Sequence, residues 1–309
     1  MDPYKYLKIR FNPDGSLYRY GEAPLLPAAP AGEPVSVAAE GSGDGEQGPR
    51  RIVVHSNDVP LSEAAGTGLR LFVPSGGHAR LPLIVYFHGG GYVLFRAASQ
   101  PFHNTCTALA AAVPAAVASV DYRLAPEHRL PAAFEDAADA VLWARPHAAA
   151  GRPVFVMGSH NGASIAFRAA LAAADAGVEL RGVILNQPHL GGAARSPAEA
   201  ASVDDRVLPL PANDLLWELA LPVGADRDHE YCNPEPMLAR VGAARLRRLP
   251  PCLVAGARDR TRMLANALQK ASVAVEARRG STAPATTPWS CSSRPPPLCR
   301  QRSARRVIR

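Results

Sequence analysis

Short apolar runs rich in β-branched residues recur along the chain and have the length of buried strands. Eight such runs are present: Ile52–His55, Leu69–Val73, Leu83–Phe87, Ala116–Val120, Val154–Met157, Val183–Leu185, Cys252–Ala255 and Val273–Ala277. Apolar residues at helical spacing lie between several of the later runs, at Pro131–Ala144, Gly162–Ala174 and Arg262–Ala271. Two early strands followed by alternating helices and strands predict an α/β fold with a mostly parallel, doubly wound sheet and helices on both faces.

Both ends of the chain lack this regular pattern. Residues 22–50 are rich in Pro, Ala, Gly and Glu, which is typical of a mobile surface segment. After residue 277 the chain is rich in Arg, Pro and Ser and has no amphipathic period, so the last helix of the fold is missing from the pattern. We therefore divide the chain into a flexible N-terminal segment (1–50), an α/β domain (51–277) and a basic, disordered tail (278–309).

Charge is distributed unevenly between the domain and the tail. The net charge is +7, but eight of the 34 basic residues are arginines that follow Glu276, where no acidic residue occurs. The other 26 basic residues are balanced by 27 acidic residues, so the domain itself is close to neutral. A neutral domain with a basic tail does not predict a nucleic-acid-binding face.

Composition also argues against several other classes of protein. The longest apolar stretch, Leu109 to Val120, is too short for a membrane span and is interrupted by Pro114. The five cysteines are scattered and form no C-x-x-C motif, which favours a reducing, cytoplasmic compartment. No set of His, Cys, Asp and Glu residues has the spacing of a metal site, and we expect no cofactor.

Two glycine-rich motifs follow apolar strands in the pattern. The first, His88-Gly89-Gly90-Gly91, has the composition and position of an oxyanion-hole loop. The second, Gly158-Ser159-His160-Asn161-Gly162, joins a strand to a helix and has the glycine spacing of a G-x-S-x-G nucleophile elbow. Its central residue is His160 instead of serine. Ser159 is no substitute, because an elbow projects only its central side chain into the pocket.

The order of these motifs resembles that of plant carboxylesterases, which belong to the hormone-sensitive-lipase branch of the α/β-hydrolases. The segments that carry the resemblance are Asp2–Lys8, Asn12–Ser16, Pro82–Tyr92, Asp121–His128, Leu185–Pro188, Asn213–Trp217 and Asp226–Tyr231. The resemblance covers roughly residues 1–277. It implies an α/β-hydrolase fold with an eight-stranded sheet and an N-terminal lid, and an ancestral hydrolysis of a small carboxylic ester through an acyl-enzyme. The related gibberellin receptors have lost the catalytic histidine, so the resemblance alone leaves activity open.

The resemblance also assigns roles to particular residues. The backbone N–H groups of Gly89, Gly90 and Asn161 are the expected oxyanion donors, and the alternative is a Gly-rich turn that serves close packing. Asp259 is the expected triad acid, with a solvated loop aspartate as the alternative. The triad histidine is expected after the last strand, but the last histidine in the sequence is His229.

The missing base and the altered elbow each have two explanations. A reading-frame change near codon 278 accounts for the composition of the tail, and a genuine alternative ending is the other explanation. His160 either occupies the vacated nucleophile position without a catalytic role or accepts the acyl group itself. His88 is expected to be structural.

Together these observations predict a carboxylesterase-family protein whose catalysis is impaired. One alternative is a small-molecule-binding protein whose ligand is an ester or resembles a hormone. The other alternative is an active carboxylesterase with an unorthodox site.

Overall fold

The structure, a computed structural model, describes residues 1–21, 23–26, 28, 35–38, 51–76, 80–256 and 258–278. Most of the predicted 22–50 segment, and the predicted tail apart from Arg278, lie outside the described residues. The helices are α1 (Pro3–Leu7), α2 (Gln100–Ala112), α3 (Ala132–Trp143), α4 (Arg145–Ala149), α5 (Asn161–Asp175), α6 (Pro197–Ala200), α7 (Leu210–Ala220), α8 (Pro234–Leu246) and α9 (Asp259–Lys270). The strands are β1 (Ile9–Phe11), β2 (Leu17–Arg19), β3 (Val35–Ala38), β4 (Arg51–Ser62), β5 (Thr67–Pro74), β6 (Leu83–Phe87), β7 (Ala116–Asp121), β8 (Val154–Ser159), β9 (Gly182–Asn186), β10 (Cys252–Ala255) and β11 (Val275–Arg278).

One large sheet organises the domain. Its strand order is β11-β10-β9-β8-β6-β7-β5-β4-β3. The strands from β6 to β11 pair in parallel. The pairs β3–β4, β4–β5 and β5–β7 are antiparallel. The mostly parallel sheet predicted from the sequence is therefore confirmed.

The sheet contains nine strands in the described residues, one more than the eight predicted. All eight predicted runs are strands, and β3 is the additional one. β3 pairs antiparallel with β4, where Val35 lies opposite Val54. Its four residues lie in a Pro- and Gly-rich stretch and are too few to show an alternation, so their strand conformation depends on pairing with β4.

The three predicted helices are present as α3, α5 and α9. α9 begins at Asp259, before the predicted start at Arg262, so the candidate acid lies in the first turn of a helix. The sequence pattern does not predict α2, because its Ala-rich residues offer little contrast between apolar and polar positions.

Helices cover both faces of the sheet, as predicted. Along β6, Leu83, Val85 and Phe87 belong to one buried cluster, which also contains residues of α3 and α5. Ile84 and Tyr86 belong to a second cluster, which contains residues of α2. Burial on both faces explains why the central strands are continuous apolar runs instead of alternating ones.

The N-terminal residues pack on the same edge of the domain as the glycine-rich motifs. β1 and β2 form a small antiparallel sheet of their own. From β2, Arg19 donates hydrogen bonds to the carbonyl oxygens of Val93 at 2.7 Å and Ala125 at 2.8 Å. It also forms an ion pair with Glu127 at 2.7 Å. In α1, the Tyr6 hydroxyl donates to the Arg206 carbonyl at 2.8 Å.

Among the described residues, none of the helices has the length and apolar character needed to cross a membrane.

Candidate functional site

The pentapeptide 158–162 forms a sharp turn from strand to helix. β8 ends at Ser159 and α5 begins at Asn161, and between them His160 has φ 60° and ψ −124°. A Cβ on Gly158 would lie 2.0 Å from the Gly162 carbonyl oxygen, and a Cβ on Gly162 would lie 2.1 Å from that of Phe87. Both glycines are thus required by the close approach of α5 to the strands. Positive φ at a non-glycine residue is strained, and such strain is typical of functional turns.

The imidazole of His160 stacks on a second imidazole, that of His189. Their ring centroids are 4.2 Å apart and the rings are inclined by 19°. His189 follows β9, and its ring also contacts Trp217 at 4.5 Å. Its Nε2 lies 2.6 Å from the Asn213 Oδ1, which is an acceptor, so Nε2 carries the proton.

His189 is buried and neutral in this stack. Its burial lowers the pKa well below the usual value, and the neighbouring His160 lowers it further. Its Nδ1 is buried and has no hydrogen-bond partner within the described part of the chain. Sequence reasoning did not select His189. The available signal was its position just after β9, because the carboxyl ends of parallel strands form one edge of a sheet.

The hydroxyl of Ser159 forms hydrogen bonds with residues of the two neighbouring strands, β6 and β9. It accepts hydrogen bonds from the Tyr86 hydroxyl at 3.4 Å and from the Asn186 Nδ2 at 3.2 Å. This placement supports the expectation that Ser159 does not replace the nucleophile.

The His88–Gly91 loop follows β6 and lies against the elbow. A Cβ on Gly89 would be 3.4 Å from the His160 Cβ. Gly90 has φ 128° and Gly91 has φ 66°, both in the region that favours glycine. Within the described residues, the N–H groups of Gly89 and Gly90 donate no hydrogen bond, and Asn161 begins α5, where backbone N–H groups lack intrahelical acceptors.

His88 supports this loop from inside the protein. Its ring is fully buried and stacks on Tyr122 at 4.3 Å, and its Nδ1 lies 2.8 Å from the Gly89 carbonyl oxygen. Burial lowers the pKa of His88 to about 4, so the ring is neutral at physiological pH. These contacts agree with a structural role.

The Asp121–His128 motif contributes framework contacts. Asp121 accepts a hydrogen bond from the N–H of Ala97 at 3.0 Å, next to the glycine-rich loop. The Arg123 guanidinium lies 2.8 Å from the buried carboxylate of Asp136. These contacts join the segment after β6, β7 and α3, and the Arg19–Glu127 pair adds β2.

Asp259 lies at the same edge of the sheet as the elbow. The pairing of β8, β9 and β10 places Ser159, Asn186 and Ala255 side by side, and α9 follows β10. The Asp259 carboxylate pairs with Arg262 and accepts a hydrogen bond from the N–H of Ala198 at 3.4 Å. The predicted position of the missing histidine, after β11, lies outside the described residues.

The described residues contain no group of three or more His, Cys, Asp or Glu side chains placed to hold a metal ion.

The sheet, the strand-to-helix elbow and the glycine-rich loop together define an α/β-hydrolase. Residues 84–284 match the family model described as alpha/beta hydrolase fold, and the chain belongs to this family. It is 39% identical over 305 residues to "Probable carboxylesterase 8" of Arabidopsis thaliana, covering 90% of this chain and 85% of that protein. It is 34% identical over 206 residues to "Gibberellin receptor GID1" of Oryza sativa subsp. japonica, covering 63% and 54% of the two chains.

Solved structures agree with this classification. The "Pyrobaculum calidifontis esterase" has a TM-score of 0.62 and 28% identity, covering 73% of this chain and 74% of that one. The "Bacterial Heroin Esterase" has a TM-score of 0.67 and 24% identity, covering 84% and 85% of the two chains, and shows the likeness of fold. The chain is thus a carboxylesterase-like member of the α/β-hydrolase family.

Proposed function

We propose that this chain is a carboxylesterase-family protein in which ester hydrolysis is strongly impaired. The observation that carries the proposal is His160, which occupies the central position of the elbow between β8 and α5 with φ 60°. The serine nucleophile of an esterase is therefore missing from this position. The sequence also has no histidine after His229, where the family's base is expected.

The size of the loss follows from known triads. Removing the nucleophile or the base of a serine triad lowers turnover on the order of a million-fold. That corresponds to roughly 8 kcal/mol of activation free energy. The oxyanion donors that remain, from Gly89, Gly90 and Asn161, support on the order of 10³- to 10⁴-fold acceleration over water. An intact oxyanion loop therefore does not make this chain an efficient esterase.

The proposal is tested by hydrolysis of para-nitrophenyl acetate by the wild-type chain, His160→Ala and His160→Ser. We expect the wild type and His160→Ala to have the same low rate within about twofold, because neither side chain starts an acyl transfer. A gain in the His160→Ser variant alone would support a scaffold that lacks its nucleophile. Efficient hydrolysis by the wild type that is lost in His160→Ala contradicts the proposal.

A small-molecule-binding role is the second candidate. It is favoured by the retained glycine-rich loop, by the contact of Arg19 in the N-terminal hairpin with Val93 just after that loop, and by the likeness to a gibberellin receptor. We propose that residues 1–50 act as a lid over an ester or hormone-like ligand. Calorimetric titration with gibberellins and small esters tests this role, and an absence of binding heat with all of them counts against it.

An active esterase with an unorthodox site is the third candidate. It is favoured by His160 itself, because an imidazole is able to accept an acyl group, and by the second imidazole of His189 that stacks on it. The His160→Ala comparison separates this candidate from the first one.

We also propose a cytoplasmic location. Cys106, Cys232 and Cys252 are buried free thiols, which fits a reducing compartment. Binding to nucleic acid through the arginines after residue 277 is not favoured, and salt-dependent DNA binding that disappears on deletion of residues 278–309 would overturn this view.

A further inference from the structure

The side chain of Asn161 connects the elbow to the oxyanion loop. Asn161 is fully buried. Its Oδ1 accepts a hydrogen bond from the N–H of Gly91 at 2.8 Å, and its Nδ2 donates to the Tyr122 hydroxyl at 3.0 Å. The orientation of the amide follows from this pairing, since a backbone N–H requires an acceptor.

The Tyr122 hydroxyl extends the connection to the other end of the loop. It donates to the His88 carbonyl oxygen at 2.9 Å, while its ring stacks on the His88 imidazole. The loop is therefore held at His88 by Tyr122 and at Gly91 by Asn161. Gly89 and Gly90, whose N–H groups are the expected oxyanion donors, lie between these two points.

The loop needs such restraints because of its own sequence. Consecutive glycines have more accessible backbone conformations than other residues, and two of these three adopt positive φ. Oxyanion donors stabilise a transition state only when they are already oriented before the reaction. A flexible loop without side-chain restraints would lose this orientation.

We propose that Asn161 is a positioning residue for the oxyanion loop, and that its side-chain amide and Tyr122 set where the N–H groups of Gly89 and Gly90 lie relative to residue 160. The inference deepens the proposed function and rests on it, because it takes these two N–H groups as oxyanion donors. It gives the Asn161 side chain a role separate from that of its backbone N–H. An alanine at this position would leave the Gly91 N–H without its acceptor and would remove the donor to the Tyr122 hydroxyl, which keeps its own hydrogen bond to the His88 carbonyl oxygen.

Hydrogen–deuterium exchange on the full chain tests the inference without any turnover. We expect Asn161→Ala to raise exchange in the peptide that contains residues 88–91 by about tenfold or more, because the loop opens locally. Exchange in β8 is expected to stay unchanged in the same sample. Asn161→Asp is expected to restore part of the protection, since its carboxylate accepts the same Gly91 N–H but cannot donate to the Tyr122 hydroxyl.

Tyr122→Phe serves as the second variant, because it keeps the stacked ring and removes only the hydroxyl. We expect an intermediate rise in exchange, confined to the same peptide. Unchanged exchange in both Asn161→Ala and Tyr122→Phe overturns the inference, and so does an Asn161→Asp variant that exchanges like Asn161→Ala.

A kinetic measurement separates positioning from a merely structural role. In the wild-type background, Asn161→Ala is expected to lower the kcat of the residual para-nitrophenyl acetate hydrolysis by about tenfold, with KM changed less than about twofold. An unchanged kcat contradicts the positioning role. Efficient hydrolysis by the wild type would contradict the proposed function alone, because the exchange result does not depend on it.

Discussion

The two halves of the site differ in how their residues are held and in how much of the family pattern they keep. The proposed oxyanion half, His88–Gly91, is largely buried and is restrained by Asn161 and Tyr122, and Arg19 contacts Val93 just after it. The reactive half departs from the pattern at His160 and again after β11. Its candidate acid, Asp259, pairs with Arg262.

This difference separates residues that the fold needs from residues that only the chemistry needs. A Cβ at Gly158, Gly162 or Gly90 would lie about 2 Å from a backbone oxygen, which is closer than any atoms pack. Such glycines are retained whether or not the protein is an esterase. A nucleophile or a base has no comparable packing role, so its replacement leaves the fold intact.

A substitution in the framework that both halves share is expected to be the most damaging. Gly162→Ala brings a Cβ to 2.1 Å from the Phe87 carbonyl oxygen. We expect a loss of at least about 3 kcal/mol in the free energy of unfolding, since neither backbone has room to move. Urea unfolding measures it. The matched control is Gly182→Ala, whose Cβ meets the Phe155 ring at 3.2 Å and is expected to cost about 1 kcal/mol or less.

A near-wild-type unfolding midpoint for Gly162→Ala would show that the elbow is able to rearrange. The glycines of the pentapeptide would then not be required for packing, and the claim that the fold needs them independently of any catalysis would be wrong.

Each half of the site contains a buried histidine, His88 in one and His189 in the other, and both are expected to make the free energy of unfolding depend on pH. Burial lowers the pKa of His88 to about 4, whereas the unfolded chain titrates near 6.5. Between these values only the unfolded state binds the proton, so stability is complete above about pH 6.5 and falls as the pH approaches 4. We expect His88 to account for a loss on the order of 3 kcal/mol over this window.

His88→Phe and His189→Phe check this assignment by urea unfolding at several pH values. Each substitution keeps an aromatic ring and removes one titrating group, so each is expected to flatten the dependence by up to one proton. The His189 effect has the same sign, because its pKa also lies well below the usual value. A dependence that neither variant alters would contradict the burial of neutral rings in both halves.

A smaller effect is expected where the N-terminal hairpin contacts the oxyanion half. Arg19→Met removes the hydrogen bonds to Val93 and Ala125 and the pair with Glu127, from a side chain that is 13% exposed. We expect a loss of about 2 kcal/mol. Arg96→Met is the control, because its pair with Asp121 is half-exposed and is expected to be worth less than about 1 kcal/mol. Equal losses of unfolding free energy in the two variants would show that the Arg19 contacts stabilise the protein no more than an exposed ion pair does.

Replacing the candidate acid is expected to change the least. Asp259→Asn should leave the residual rate of ester hydrolysis within about twofold, because a triad acid acts only through a base that it orients. In a working triad the same change costs on the order of 10⁴-fold. A loss approaching that size, measured with para-nitrophenyl acetate, would show that Asp259 does orient a catalytic imidazole.

Sequence reasoning reached the fold because the relevant signals are local. Short apolar runs rich in β-branched residues identify the eight strands from β4 to β11, and the glycine spacing identifies the elbow. β3 could not be predicted, because four residues acquire their strand conformation only by pairing with β4. The early start of α9 at Asp259 was also missed, since its first turn carries no apolar period.

The contacts within the site were less accessible to sequence reasoning. The sequence indicated residue 160 and the oxyanion loop, which are defined by short motifs. The stack of His160 on His189 and the clamp of Asn161 on Gly91 join segments that are far apart in the chain. Such contacts depend on the order of strands in the sheet, which one sequence does not specify.

Rapid mixing of the wild-type chain with excess para-nitrophenyl acetate shows whether the reactive half has a working nucleophile. We expect no stoichiometric burst of nitrophenol and no acetyl group on the peptide that contains His160. A burst of about one nitrophenol per chain, with the acetyl group found on His160, would contradict this expectation and make His160 an acyl acceptor.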